Sequence, residues 1–262
     1  MKILVCFKTG PEFEQVVDAD WEHFGIHSDM SYVKRSFGCF DETALETALR
    51  LKDELAGQGA ALCNAATSCC ALTLGSLPAP LYRTLFAVGF DQISVLEDAL
   101  EFQPQETALA LAKFISKGSW DLILAGRQAG YADTGTVPLI LGEELKLPVI
   151  TEAESLVPLE GNRLSINRYG PEGREKLEIS LPALVVMGNS PVSALRAATL
   201  SAQMQAAKLT PEFLPCGISA EKITPKLIRK RSGKNCRFLP GGKELAESAR
   251  EITELLSEWG RR

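Results

Sequence analysis

Short apolar runs alternate with helical patterns over residues 1–150, and this alternation restricts the possible folds more than any other feature of the chain. Residues 3–7 form an unbroken apolar run, as a strand buried on both faces of a sheet requires. Residues 41–55 place their apolar side chains on one helical face, with Asp41 as the predicted cap. Strands that alternate with helices form parallel sheets with crossover connections, so the sequence predicts a doubly wound, mostly parallel α/β sheet. Further strands are predicted at 60–66, 93–96, 121–125 and 149–151, and further helices at 81–88, 104–117 and 136–146.

The pattern changes after Leu156. Leu164 and Ile166 alternate with polar residues, a loop follows at 169–173, and apolar and polar residues alternate again around 177–179. Two alternating segments joined by a short glycine-containing loop predict an antiparallel hairpin added to the parallel sheet. Residues 184–187 then return as a buried strand.

Beyond residue 188 the pattern of a compact domain fades. Residues 189–243 are rich in Ser, Ala, Pro and Lys, and long irregular segments of this kind are uncommon inside a compact domain. The sequence therefore predicts an α/β domain over 1–188 and an extended C-terminal arm over 189–262. The arm ends in an amphipathic helix, whose apolar stripe is Leu245, Ala249, Ile252, Leu255, Leu256 and Trp259.

Composition excludes several classes of function. The net charge of −5 argues against a nucleic-acid-binding protein, and the basic segment 222–237 is interpreted as a solvated or partner-facing surface. The seven cysteines include no CxxC pair, so neither zinc nor an iron–sulfur cluster is expected. No run is long and apolar enough to predict a signal peptide or membrane insertion, and a cytoplasmic location is expected.

A glycine-rich loop at 126–138 is the strongest local signal for a binding site. It follows a predicted strand and precedes a predicted helix, and in open α/β sheets ligands bind beyond the carboxyl ends of the strands. Glycines allow the backbone to turn tightly and to approach a ligand, while the N–H groups at the start of a helix attract phosphate. The loop matches neither Walker A nor GxGxxG, so a simple connecting turn remains the alternative. Asp133, Thr134 and Thr136 are candidate caps of the helix.

No catalytic constellation is present. The chain has no GxSxG motif, and His23 and His27 are interpreted as surface residues. A freestanding adenine-nucleotide hydrolase or ligase on a similar scaffold stays open as an alternative. Such an enzyme would need a base and an acid or metal near the loop, where only Asp133 and Arg127 are candidates.

Five segments in the same order give the sequence its resemblance to the electron transfer flavoprotein beta-subunit family. They are KILVCFK at 2–8, FDETALETALRLK at 40–52, RTLFAVGFD at 83–91, DLILAGRQA at 121–129 with the following Asp133, Thr134 and Gly135, and LPALVV at 181–186. The chain departs from the family at Gly38 and Cys39, where Asn-Pro is common, and at 203–208, where the family is lysine-rich.

The resemblance implies a non-enzymatic electron carrier subunit whose C-terminal arm wraps an alpha subunit and which exchanges electrons with dehydrogenases. It also implies that 1–188 binds AMP, or a second FAD as in electron-bifurcating members, with the electron-carrying FAD shared with the alpha subunit; AMP is the expected ligand here. Leu200 occupies the position of the family's apolar anchor for a dehydrogenase. The implied nucleotide-binding residues are Cys6, Phe7 and Lys8 after the first strand, Gly38, Cys39, Phe40 and Asp41 before the first helix, and Gly126, Arg127, Gln128, Ala129, Gly130, Asp133, Thr134, Gly135, Thr136 and Val137 in the loop.

Overall fold

The computed structural model describes residues 1–16, 32–57, 67–97, 100, 102–130, 134–219 and 245–259. The chain divides into two compact units, Met1–Pro225 and Lys226–Arg262. The strands are β1 (Lys2–Cys6), β2 (Thr9–Pro11), β3 (Arg35–Phe37), β4 (Ser68–Leu74), β5 (Gln92–Glu97), β6 (Leu122–Gly126), β7 (Val149–Leu159), β8 (Arg163–Gly170), β9 (Gly173–Ser180), β10 (Ala183–Met187) and β11 (Glu212–Pro215). The helices are α1 (Cys39–Gly57), α2 (Ala79–Val88), α3 (Pro104–Ile115), α4 (Val137–Leu145), α5 (Leu200–Ala206) and α6 (Leu245–Trp259).

A nine-stranded sheet organises the first unit, in the order β11-β5-β4-β1-β6-β10-β7-β8-β9. Strand β1 lies between β4 and β6 and is parallel to both. From β11 to β7 every neighbouring pair is parallel. The predicted mostly parallel α/β fold is therefore confirmed.

Helices cover both faces of the parallel strands. Successive residues of β1 point to opposite faces and are therefore all buried. Ile3 and Val5 pack with α1 and α2 in one apolar cluster. Leu4 and Cys6 pack with α3 and α4 in the other. This two-layer burial requires the unbroken apolar run seen in the sequence.

The antiparallel hairpin continues the sheet beyond β7. Leu164 pairs with Ile179 and Ile166 with Leu177, and Leu164 and Ile166 are fully buried. Lys176 and Glu178 of β9 alternate with Leu177 and Ile179 and are exposed. The predicted hairpin is confirmed, and β7 extends through Leu159, well past the predicted strand end at 151.

Several elements escaped prediction. The second strand was predicted at 60–66, and these residues lie outside the described ones. The observed strand β4 follows them, at Ser68–Leu74. The small antiparallel pair β2 and β3 falls in a stretch without periodicity, because strands of three residues are too short to show one. α1 begins at Cys39, so Asp41 lies in its first turn rather than before it.

Residues 189–219 also contain ordered elements that the sequence does not indicate. α5 packs on α2, and β11 adds an edge strand beside β5. Both elements are short and mostly exposed, which explains the weak apolar pattern. The terminal helix α6 matches the predicted amphipathic helix, while the role of 189–262 in wrapping a partner stays a prediction. Among the described helices, none combines the length and apolarity needed to cross a membrane.

Candidate functional site

A cavity of about 560 Å³ lies at the carboxyl ends of β1, β4, β5 and β6. Its position follows from the topology. The chain runs from β1 to β4 and β5 on one side, then crosses to β6 on the other side of β1. A crevice opens where strand order reverses in this way, and ligands of open α/β sheets bind there.

The wall between β1 and α1 is built around a buried carboxylate. Asp41 is 5% exposed, and its Oδ1 accepts a hydrogen bond from the backbone N–H of Lys8 at 3.2 Å. Burial raises the pKa of Asp41 to about 7, although the Lys8 amide and ammonium partly offset this rise. Burial likewise raises the pKa of the Cys6 thiol to about 12, with the Asp41 charge adding to the effect, so Cys6 stays a neutral thiol.

Gly126 allows the end of β6 to approach the start of α1 closely. A Cβ at residue 126 would lie 2.8 Å from the carbonyl carbon of Phe40 and 2.9 Å from the backbone nitrogen of Asp41. Both neighbours are backbone atoms, so a side chain there would force the helix away from the strand. The first glycine of the loop is therefore a packing requirement of the cavity wall.

Arg127 braces the loop that follows β6. Its Nη1 donates to both carboxylate oxygens of Glu152, at 2.9 and 2.8 Å. Its guanidinium lies over the Phe40 ring, 4.8 Å from the centroid, and Nε donates to the Gln128 side chain. Because Glu152 balances its charge, Arg127 holds β6, β7 and α1 in register more than it supplies a cation to a ligand.

The loop reaches α4 through Gly135, whose φ of +62° favours glycine, and Thr136 at the N-cap. The Thr136 hydroxyl makes no capping bond; it lies 2.9 Å from the Thr134 hydroxyl. Among the described residues, the Thr134 hydroxyl accepts the Thr136 N–H at 3.4 Å, while the N-cap side chain makes no capping bond to the following N–H groups of α4. Partial positive charge at a helix start attracts anions, which makes this corner suitable for a phosphate group.

Eleven of the predicted site residues line the cavity: Cys6, Phe7, Lys8, Asp41, Gly126, Arg127, Gln128, Ala129, Thr134, Gly135 and Val137. The lining does not include Gly38, Cys39, Phe40, Gly130 or Thr136, and Asp133 lies outside the described residues. The three predicted segments thus meet at one place.

The opposite wall was missed in the sequence. It consists of residues after β4 and β5, together with one residue of the C-terminal part: Gly75, Ser76, Leu77, Glu97, Leu100, Phe102, Gln103, Thr107 and Phe213. The rule that ligands bind beyond strand ends would have indicated the loop after β4, had that strand been placed at Ser68–Leu74. Phe213 carried no signal, because only the pairing of β11 with β5 brings it to the cavity.

Charged side chains around the cavity are mixed. Three basic residues, Lys8, Arg35 and Arg127, and two acidic residues, Asp41 and Glu97, line it. Arg35 donates to the backbone oxygen of Thr9 at 2.7 Å, which ties β3 to the segment after β1. Within the described ranges, no group of three or more His, Cys, Asp or Glu side chains could hold a metal ion.

The predicted partner-binding residue Leu200 lies away from this lining, at the start of α5. It is 74% exposed, and Met204, one helical turn later, is 67% exposed. The side chain of Thr199 caps the helix by accepting a hydrogen bond from the N–H of Ala202 at 3.3 Å. The segment before α5 is held to α1 by Arg196, whose Nε donates to Glu46 at 3.0 Å.

Known proteins are similar to this part of the chain. The model of the electron transfer flavoprotein domain family matches residues 30–212. The caffeyl-CoA reductase–Etf complex subunit CarD of Acetobacterium woodii is 31% identical over 189 residues, which cover 71% of this chain and 67% of that protein. The family match includes α1, β4, β5, β6 and α4, the elements that form most of the cavity.

Proposed function

We infer the function of this chain from the premise that it belongs to the electron transfer flavoprotein family. We propose that it is the beta-type subunit of a heterodimeric electron transfer flavoprotein. In this role it binds an adenine nucleotide in the cavity and, with an alpha-type subunit, passes electrons between dehydrogenases and an acceptor. The similarity to a subunit of a reductase–Etf complex supports a function within an assembly.

The observation that carries the proposal is the meeting of three sequence-distant segments at one cavity. The end of β1, the first turn of α1 and the loop from β6 to α4 all contribute to its lining. A nucleotide with its phosphate at the start of α4 would meet backbone N–H groups, which bind phosphate without sequence-specific side chains. The rest of the cavity offers apolar contact from Leu74, Leu111 and Leu141 for the nucleoside.

The ligand is proposed to be AMP, with FAD as the alternative that a bifurcating role would require. When FAD is bound to the assembly, its isoalloxazine ring supplies the redox chemistry. The residues of this chain contribute binding, orientation and exclusion of water. The Arg127 guanidinium is engaged by Glu152, and the similarity to an Etf complex subunit favours a carrier function over a hydrolase or ligase.

Calorimetric titration of the nucleotide-stripped full chain with AMP, FAD and inorganic phosphate tests this proposal. We expect AMP to bind with micromolar or tighter affinity and inorganic phosphate to bind weakly. Gly135→Pro should reduce AMP affinity more than tenfold, because proline fixes φ near −65° while this residue has φ +62°. Thr136→Ala is the matched control: its hydroxyl makes no capping bond, so the cost should stay below about 1 kcal/mol.

Equal affinities in all three proteins would move the site away from the loop. Conversion of AMP during the titration would favour the enzyme alternative. Absorption spectra of the chain and its co-purified partner, measured after separation, then distinguish AMP from FAD on this subunit, because only FAD absorbs visible light.

A further inference from the structure

Asp41 has one carboxylate oxygen that the protein leaves without a partner. Oδ1 accepts the Lys8 N–H, whereas Oδ2 is buried and makes no hydrogen bond within the part of the chain that the structure describes. No other buried side-chain nitrogen or oxygen of those residues shares this condition. A buried acceptor left unpaired costs free energy, and more so when it is charged, so its presence in a native protein calls for a partner outside the protein's own hydrogen bonds.

The described residues around Oδ2 do not complete a hydrogen bond to it. A Cβ at residue 38 would lie 2.7 Å from Oδ2, so a side chain longer than that of glycine could not stand there without displacing the carboxylate. A contact from the Gly38 backbone N–H to the carboxylate lowers the pKa of Asp41, but its geometry is too poor for a hydrogen bond that satisfies Oδ2. The neighbouring Cys6 remains a neutral thiol.

The charged groups near Asp41 do not satisfy Oδ2 either. Lys8 acts through its backbone N–H and its charge, and Glu42, the next residue of α1, raises the pKa of Asp41. Among the other charged residues that line the cavity, Arg35 donates to Thr9 and Arg127 to Glu152, while Glu97 bears the same charge as Asp41. None of the described charged side chains around the cavity pairs with Oδ2, and Asp41 itself lines the cavity, so a bound molecule is in a position to supply the donor.

We propose that Asp41 determines the specificity of the cavity, with Oδ2 accepting a hydrogen bond from a hydroxyl or amino group on the nucleoside part of the ligand. This inference rests on the nucleotide-binding function proposed above. Phosphate oxygens are acceptors and carry negative charge, so they do not pair with a carboxylate. The ligand therefore binds with its phosphate at the start of α4 and a donor group of the nucleoside at Asp41. Asp41 thus sets the orientation of the ligand as well as its identity.

Asp41→Asn tests this role because the Lys8 amide fixes the orientation of the new side chain. The Asn carbonyl oxygen takes the place of Oδ1 as acceptor for Lys8, which leaves the amide NH₂ in the place of Oδ2. An acceptor becomes a donor without a change of size. We expect AMP affinity to fall by about tenfold to a hundredfold, the range for one hydrogen bond to a charged group. Glu144→Gln, at an exposed position of α4 outside the cavity lining and without influence on Asp41, is the control and should bind AMP like the wild type.

Analogues of AMP identify the group that Asp41 reads. In the full chain, titrations with 2′-deoxy-AMP, 3′-deoxy-AMP and inosine 5′-monophosphate remove the two ribose hydroxyls and the amino group in turn. The analogue that lacks the donor should bind about tenfold or more weakly than AMP to the wild type, and no more weakly than AMP to Asp41→Asn. Inosine monophosphate, which carries an acceptor at the position of the amino group, should bind the variant better than AMP if that amino group is the donor.

A second measurement uses the wild type alone and does not depend on the variant's folding. Donation to the Asp41 carboxylate favours its charged form, so binding lowers its pKa from about 7. Adenosine, which has no phosphate to titrate, should therefore release protons when it binds between pH 6 and 7. Calorimetry in buffers of different ionisation enthalpy measures this release.

The results separate this inference from the proposed function. AMP binding with wild-type affinity to Asp41→Asn, or adenosine binding without proton release, would overturn the role of Asp41 and leave the nucleotide-binding function standing. Failure of the wild-type chain to bind any adenine nucleotide would overturn both.

Discussion

In β6, three consecutive residues, Leu122, Ile123 and Leu124, are at most 1% exposed. In β9, at the far edge of the same sheet, burial alternates, with Lys176 and Glu178 exposed and Leu177 between them half-buried. The difference arises from the layers. Helices cover both faces of the parallel strands, whereas the hairpin is buried on one face only.

Within one sheet, the buried interiors of the parallel strands contribute mainly to stability, whereas their ends form the candidate binding site. A strand buried on both faces exposes few side chains along its length, so the charged side chains that line the cavity lie mainly at or beyond the strand ends. The cavity is built from those ends, with Lys8 after β1 and Arg127 after β6. The hairpin instead spreads its charges along an exposed face, as in the pair Arg163–Glu178. Substitutions at matched positions of the parallel strands and of the hairpin can therefore test this difference in burial and function.

The largest difference is expected for truncations within the strands. Ile123→Ala should destabilise the protein by about 2–5 kcal/mol, because it removes a side chain that is 1% exposed and leaves a cavity between β6 and the α3–α4 layer. Lys176→Ala in β9 should change stability by less than about 0.5 kcal/mol, since its side chain is exposed. Denaturant unfolding measures both. Similar costs for the two variants would mean that the outer face of the hairpin is also covered.

Ion pairs should show the next largest contrast. Arg196 donates to Glu46, whose side chain is only 4% exposed, and to Asp53 at 2.6 Å. Arg163 and Glu178 form a pair at 3.0 Å with side chains about half exposed. We expect Arg196→Ala to cost about 1.5–3 kcal/mol, the range for hydrogen bonds to charged groups. Arg163→Ala should cost about 0–1 kcal/mol, the range for surface pairs.

The stability that the Arg196–Glu46 ion pair contributes should depend on pH. Burial alone would raise the pKa of Glu46, but hydrogen bonds from Arg196 and Arg50 outweigh it and hold that pKa below the ordinary value of 4.5. A carboxylate with a lowered folded-state pKa contributes stability above its unfolded pKa and loses it as the pH falls through the folded value. The stability difference between wild type and Arg196→Ala should therefore be full at pH 7 and shrink below about pH 4.3. A difference that stayed constant down to pH 3 would contradict the ion-pair account.

Part of the fold and part of the cavity could be predicted from the sequence. The order of strands and helices was predictable because apolar runs such as residues 3–7 record burial on both faces. The β6–α4 side of the cavity was predictable because it is contiguous in sequence. The β4–β5 side was not, because β4 lies at Ser68–Leu74 rather than at 60–66 and Phe213 meets the cavity only through the pairing of β11 with β5. The burial of Asp41 escaped for a related reason: an acidic residue at a helix start normally indicates a solvated cap.

The smallest contrast concerns two aromatic side chains near opposite edges of the sheet. Phe213 of β11 and Tyr169 of β8 are both 50% exposed, but only Phe213 lines the cavity. Because both are half exposed, truncation of either to alanine should change stability by only about 0.5 kcal/mol. Phe213→Ala should also weaken AMP binding by about 0.5–1.5 kcal/mol, the range for one aromatic contact beyond its buried area, if the base packs on the ring. Tyr169→Ala should leave AMP affinity unchanged, because the Tyr169 ring faces the Arg174 guanidinium at 5.6 Å on the hairpin.

Titration of both variants with AMP and with ribose 5-phosphate, which lacks the base, shows which part of the ligand Phe213 contacts. Loss of affinity for AMP alone places the base against β11, whereas equal losses for both ligands would show that Phe213 shapes the cavity without contacting the base.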